Sequence, residues 1–200
     1  VTFTAETSTD PLVIIKNYTN DANGARLRFV KDKGAAGADG DDIGVIEFYA
    51  DDSGQTQTAF AKIVAEVSES ANTDEAGKLS FFVAESDGTN TALTAGLILE
   101  GEHATDGEVD VTIGAGAGSL TTISGDLALQ HDGAIMSFGA NDDVILSHVH
   151  DLGLTLKNLS TGDDTPCTLT LATGETDIAV DDVIGRIQFQ APDEGTGTDA

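Results

Sequence analysis

Apolar and polar residues alternate with a period of two along most of this chain, the spacing that sends every second side chain of a β-strand to the same face. The clearest run is Val109-Asp110-Val111-Thr112-Ile113. Similar runs are Ile46, Phe48 and Ala50, then Leu79, Phe81 and Val83, and then Leu152, Leu154 and Leu156. Asp-Asp pairs stand at 41–42, 51–52, 142–143, 163–164 and 181–182, and three of them lead straight into Ile or Val, which reads as a turn feeding a strand. Thr58 to Glu69 fits two templates, because Phe60, Ile63, Val64 and Val67 also form a helical stripe. Its β-branched residues and the strands on either side decide for a strand.

The chain also repeats itself. An offset of 141 residues lays the region from Leu12 onto the region from Gly153 without a gap. Lys16-Asn17 falls on Lys157-Asn158, Asp41 on Asp182, and Ile43-Gly44 on Ile184-Gly185. Ile46, Phe48, Ala50, Asp52 and Gly54 then fall on Ile187, Phe189, Ala191, Asp193 and Gly195. Identities at alternate positions are those of one strand face, and the turns DDSG and PDEG close both copies. The second copy stops at Ala200, opposite Ala59, and the chain does not start with Met. A segment of a longer array is therefore expected, with no secretory signal or sorting tail read in it.

The texture of the pattern divides the chain. Residues 12–100 carry longer strands with loops such as KDKGAAGADGDD and SESANTDEAG. Residues 101–151 carry short apolar stretches around Val111, Ile123, Leu129, Ile135 and Ile145, separated by Gly-rich turns such as GAGAGS and HDGA. The expected fold is all-β and elongated: a linker at 1–11, a β-sandwich-like bead at 12–100, a β-helical or solenoid stem at 101–151, and the start of a second bead at 152–200. A stem of about 50 residues has too little interior to bury its own apolar face. Stacked repeats solve that problem, and so does wrapping several identical chains around one axis, which also removes open sheet edges. The expected core comprises Ile14, Ile46, Phe48, Phe81, Val83, Val111, Ile113, Leu154, Ile187 and Phe189.

Composition narrows the function. Nine Lys+Arg stand against 35 Asp+Glu, a formal charge of −26, so nucleic-acid backbones and anionic membranes are poor partners. No apolar run approaches the roughly 20 residues of a spanning helix, and no membrane insertion is expected. The charge repels copies of the chain unless salt screens it, which suits salty water. A single cysteine, Cys167, excludes an intrachain disulfide and a multi-cysteine zinc site. Its surroundings, TPCTLTL, read as a strand edge holding a buried or half-buried thiol.

The segment DDVILSHVHDLGLTLKN (142–158) resembles a motif recurring in the large repetitive tail-fibre proteins of marine bacteriophages. The segment DDIGVIEFYADDSG (41–54), followed by AFAKIVAEVSE and GKLSFFVAES, is similar to the repeat unit of the same proteins. The resemblance covers roughly residues 12–200. It implies a virion structural protein in a tail fibre or similar external appendage, built as an intertwined parallel homotrimer. It implies as partners further copies of the chain, other virion proteins, and a host-surface receptor reached through a region outside this sequence.

Candidate chemistry is sparse. His148-Val149-His150 places two imidazoles at i and i+2, where a strand points both the same way and both could reach one metal ion. The resemblance adds that His-x-His pairs from three chains form six-histidine iron sites on the axis of phage fibre tips. Against a metal stands parity: Ile145 and Val149 share one side and the histidines the other, so Val149 would supply the core contact and the rings would face solvent or an interface. That plainer reading is preferred, and no other cofactor is expected. Asp39, Asp41 and Asp42, and separately Asp51 and Asp52, could offer oxygens to Ca²⁺, but neither loop has the EF-hand spacing or a calcium β-roll nonapeptide. Ser119 follows GAGAG without a Gly-x-Ser-x-Gly or phosphate-loop pattern, so the glycines read as tight turns. Asn17 and Asn158 match the glycosylation sequon at equivalent repeat positions and read as the start of a turn after a strand. The chain is therefore expected to be non-enzymatic, a stiff rod that presents a receptor-binding tip. Its rivals are a bacterial or archaeal surface adhesin and a tailspike that cleaves polysaccharide with paired carboxylates.

Overall fold

The computed structural model describes Thr4, residues 12–103 and residues 107–189. The linker at 1–11, Thr4 apart, and the repeat matches at Ala191, Asp193 and Gly195 lie outside the described residues. The described chain is all-β, without helices, in two antiparallel sheets. Five strands run in spatial order β1 (Asp42–Asp51), β2 (Gln57–Glu69), β3 (Ala76–Ser86), β4 (Thr91–Gly101) and β5 (Val109–Ile113). A second sheet holds β6 (Ile135–Phe138), β7 (Val144–Val149) and β8 (Gly153–Asn158). The segment with two possible readings, Thr58 to Glu69, is strand β2.

Aspartates make the turns. Between β1 and β2, Asp52 Oδ1 accepts the N–H groups of Gly54 at 2.8 Å and Thr56 at 2.9 Å, while Gln55 takes a φ of 63°. Between β3 and β4, Asp87 Oδ1 accepts from Thr89 at 2.8 Å and Asn90 at 2.7 Å. A short carboxylate that imitates a backbone turn is the reason Asp punctuates this sequence.

The compact units divide between Ile123 and Ser124. Strand pairing also bridges both borders expected from texture. β5 lies in the stretch expected to be stem, yet it pairs with β4 through Leu97↔Ile113, Leu99↔Val111 and Gly101↔Val109. β8, expected to open a second bead, pairs along the whole of β7. Consecutive strands with short connections form hairpins whatever the texture of their sequences. The stretches around Ile123 and Leu129 form no strand.

The expected core is not a core within one chain. Of its ten residues only Phe81 is half-buried; the other nine, from Ile14 to Phe189 at 94% accessible, are exposed. The buried residues are Val64 and the small Ser80 on the central strand, overshadowed by longer neighbours. A single antiparallel sheet has nothing to lay against its apolar side, so correct strand assignments do not yield burial.

The repeat, by contrast, recurs as geometry. Asn17 Oδ1 accepts the N–H of Thr19 and Asn158 Oδ1 that of Ser160, each at 2.9 Å, so both sequons are turn starters. Asp41 accepts the N–H of Ala38 at 2.9 Å, and its equivalent Asp182 that of Ala179 at 2.6 Å. Gly40 and its equivalent Asp181 share a left-handed backbone, with φ of 79° and 77°. Downstream the copies differ: residues 183–189, equivalent to β1, are not a strand, nor are residues 12–17, equivalent to β8. The partner of β8 is β7, whose counterpart at 3–8 falls, Thr4 apart, outside the described residues.

Each copy also brings an upstream residue against an equivalent glycine. A Cβ on Gly44 would stand 2.7 Å from the Cβ of Phe29, and one on Gly185 would stand 3.3 Å from the Cβ of Leu171. The contact slips by one residue between copies because the apolar positions do: Leu27 and Phe29 in the first, Leu169 and Leu171 in the second. Gly44→Ala is expected to displace Phe29 at a cost of about 1 kcal/mol. The readout is a shift in the NMR signals of the Phe29 ring with β2 and β3 unchanged, and Gly185→Ala should show a smaller effect at Leu171.

Candidate interaction surface

Residues directly opposite on neighbouring strands share a face, and the register of the five-stranded sheet builds two unlike faces. On one, the row Ile46–Ile63–Phe81–Leu97–Ile113 crosses all five strands, beside the row Gly44–Ala65–Leu79–Leu99–Val111. Phe48, Ala61 and Val83 continue it. On the other face the row Val45–Val64–Ser80–Ile98–Thr112, which holds the buried Val64 and Ser80, is flanked by Glu47 and Lys62 on one side and by the row Glu66–Lys78–Glu100–Asp110 on the other. Lys78 Nζ sits 3.5 Å from Glu66 Oε2, and Lys62 lies over the Phe82 ring at 4.6 Å.

The apolar face is open. Ile46, Phe48, Leu79, Val83, Val111 and Ile113 are all exposed; segment 25–29 borders the face at Gly44, Ile46, Ile63 and Leu79, and segment 114–121 borders it at Val83 and Ile113. Leu97 and Leu99 escaped the sequence reading because strand β4 carries a nearly unbroken apolar run, LTAGLIL, that hides its alternation, and Ile63 lay in the stretch that also fits a helical stripe. The register shift between Phe81 and Phe82 adds Gly96 as an extra residue and changes the parity partway. The three-stranded sheet repeats the theme, with Met136, Phe138, Val144, Leu146, Leu154 and Leu156 on one side.

Within β7 the expected parity holds: Ile145 and Val149 share one side, with Ile135, Ser137, Ser147, Thr155 and Lys157, and His148 lies on the other. The difference is that the side of His148, which stands opposite Leu154 and beside Met136, Leu146 and Leu156, is the more apolar of the two. β7 ends at Val149, so the rule that aims i and i+2 alike does not reach His150. The two rings meet edge to face with centroids 6.5 Å apart. His148 Nδ1 lies 3.2 Å from the carbonyl of Asp132; a carbonyl only accepts, so in this contact Nδ1 carries the proton.

The other candidates act locally. Asp41 takes the ammonium of Lys33 at 2.5 Å as well as the Ala38 N–H, and Asp39 takes the N–H of Ser70 at 2.9 Å. These carboxylates thus already bind donors. Among the described residues, no cluster of three or more His, Cys, Asp or Glu is arranged to hold a metal ion. The Ser119 hydroxyl accepts the N–H of Ala115 at 3.0 Å and donates to the same residue's carbonyl, closing the GAGAG turn. Cys167 is exposed and lies outside any strand, correcting the expectation of a buried thiol at a strand edge, because 165–171 finds no ladder partner.

The Lys33 ammonium, then the Ala38 N–H, hold the Asp41 carboxyl below its ordinary range, and the N–H groups of Asn90 and Thr89 do the same for Asp87. Folded values below the ordinary 3.8 mean that the stability these groups contribute is complete above that pH and is lost as pH falls through the lowered values. Loops 38–41 and 87–90 are therefore expected to loosen in acid below about pH 3.8, as read by amide exchange. Asp87→Asn, which still accepts both N–H groups, should remove that response from its own turn.

No protein-family model matches this chain, and no curated protein matches it.

Proposed function

We propose that this chain is a non-enzymatic structural segment of a virion tail fibre or similar appendage, and that it becomes rigid by assembling with copies of itself. The observation that carries the assembly is the uncovered apolar face of the five-stranded sheet. An antiparallel sheet is stable in water with one face solvated and the other covered. Here the charged face suits water, while the opposite face carries three adjacent apolar rows. Copies of the chain supply identical open faces, and a parallel homotrimer turns three of them toward one axis.

In this reading the part of 101–151 that follows β5, which itself pairs within its own chain, completes its interior by wrapping around its partners as an intertwined, β-helical stem. Repetition sets the length of the rod, and charge keeps neighbouring rods apart. The virion setting is supported by the likeness of 41–54 and 142–158 to the repetitive fibre proteins of marine bacteriophages. The receptor-binding tip lies in another part of the fibre. Light scattering on the chain in dilute solution tests the assembly. The expected particle has about three times the mass of one 20.5 kDa chain, and a folded monomer overturns it. Immunogold labelling of virions tests the setting, and label absent from every appendage refutes it.

A further inference from the structure

Four of the nine Lys and Arg stand close together, at Arg26, Arg28, Lys31 and Lys33, in a chain with a formal charge of −26. Arg26-Leu27-Arg28-Phe29 alternates cation and hydrophobe as an edge strand does, yet it joins neither sheet. The repeat shows that these charges are not needed to seat the segment. Their equivalents are Cys167, Leu169, Ala172 and Gly174, all uncharged, and that segment still approaches its glycine. Lys33 is paired with Asp41. Among the described residues, neither Arg26 nor Arg28 has a carboxylate within ion-pair distance.

The far edge of the sheet carries the opposite imbalance. Glu100 and Asp110 are direct cross-strand partners, an arrangement in which like charges repel. Lys78, the one cation in their row, is engaged with Glu66. Beyond them β5 is the last strand of its sheet, and all five of its residues are exposed.

We propose that residues 26–30 of one copy add to the free edge of β5 in a neighbouring copy, setting Arg28 beside Asp110. The parity fits on both faces at once. With Arg28 at Asp110, Leu27 and Phe29 extend the apolar rows of Val109 and Val111, and Arg26 joins the charged face. Main-chain groups of β5 that have no partner strand gain one. Within one chain the segment is tied down beside β1, where Gly40 N–H donates to Val67 O at 2.8 Å and Val67 N–H to Asp41 O at 2.9 Å. The contact of Phe29 with Gly44 also holds it at that edge of the sheet, the edge opposite β5. Leaving its own sheet costs the segment the Phe29–Gly44 contact, while Leu27 at 67% and Val30 at 73% accessible give up little there. This pairing rests on the self-association proposed above and specifies one of its contacts.

The test uses the full chain carrying Cys167→Ser. Arg28→Cys and Asp110→Cys are placed on separately tagged copies, mixed and oxidised; the mixed disulfide is expected. In parallel, Arg26→Glu with Arg28→Glu is expected to weaken self-association about tenfold. Asp110→Arg on the partner copies should recover it. If no mixed disulfide forms and the double-Glu chain assembles as the parent does, the pairing is wrong while self-association stands. If the parent chain is monomeric throughout, self-association fails and the pairing with it.

Discussion

Val111→Asp combined with Ile113→Asp is expected to reduce the assembly to single folded chains. Both side chains are more than half exposed in one chain, so the sheet itself loses little and β circular dichroism should be retained. In the assembly each is covered, and covering a Val or Ile side chain contributes about 1.5–3 kcal/mol. Two such losses, with a carboxylate desolvated at each position, correspond to a weakening of about a hundredfold or more. Thr112→Asn, between them but on the opposite face, is the control. It should leave the particle mass unchanged in light scattering. Equal effects from both variants would show that parity, and with it the apolar face, does not govern association.

Raising NaCl from 0.1 M to 1 M is expected to tighten self-association at least about tenfold, because the screening length falls from roughly 10 Å to 3 Å. Each chain brings a formal charge of −26, so assembly concentrates like charge, and the long-range repulsion exceeds what a few interfacial ion pairs return. The Arg28–Asp110 contact responds in the opposite sense, being weakened by salt. The Arg26→Glu, Arg28→Glu chain should therefore depend on salt more steeply than the parent. Sedimentation across a salt series reads both slopes. An assembly that falls apart as salt rises would mean that ion pairs, not apolar faces, hold it together.

Much of the local structure was legible in the sequence. Alternation placed β1, β3, β5 and β8 through Ile46 and Phe48, Phe81 and Val83, Val111 and Ile113, and Leu154 and Leu156. The Asp pairs marked turns because a short carboxylate accepting nearby N–H groups is a local affair. The repeat was legible too, and the paired turns at Asn17 and Asn158 and at Asp41 and Asp182 are its structural form. The open surface was only half legible. Leu97 and Leu99 lie in an apolar run without visible period, and the alternation of Arg26 and Arg28 with Leu27 and Phe29 is a strand pattern that joins no sheet.

The sequence by itself determined strand type, turn positions and the two-faced character of each strand, since all of these depend on neighbours one to four residues away. Only the tertiary structure decided which strands share a sheet. It joined β5 to β4 and β8 to β7 across the borders that texture suggested, and it set His148 among Met136, Leu146, Leu154 and Leu156 while keeping Val149 on the side of Ile145. It also decided burial, because whether Phe48 or Ile113 lies inside depends on a second layer being present. Alternation specifies that a strand has an apolar side; it does not supply what covers it.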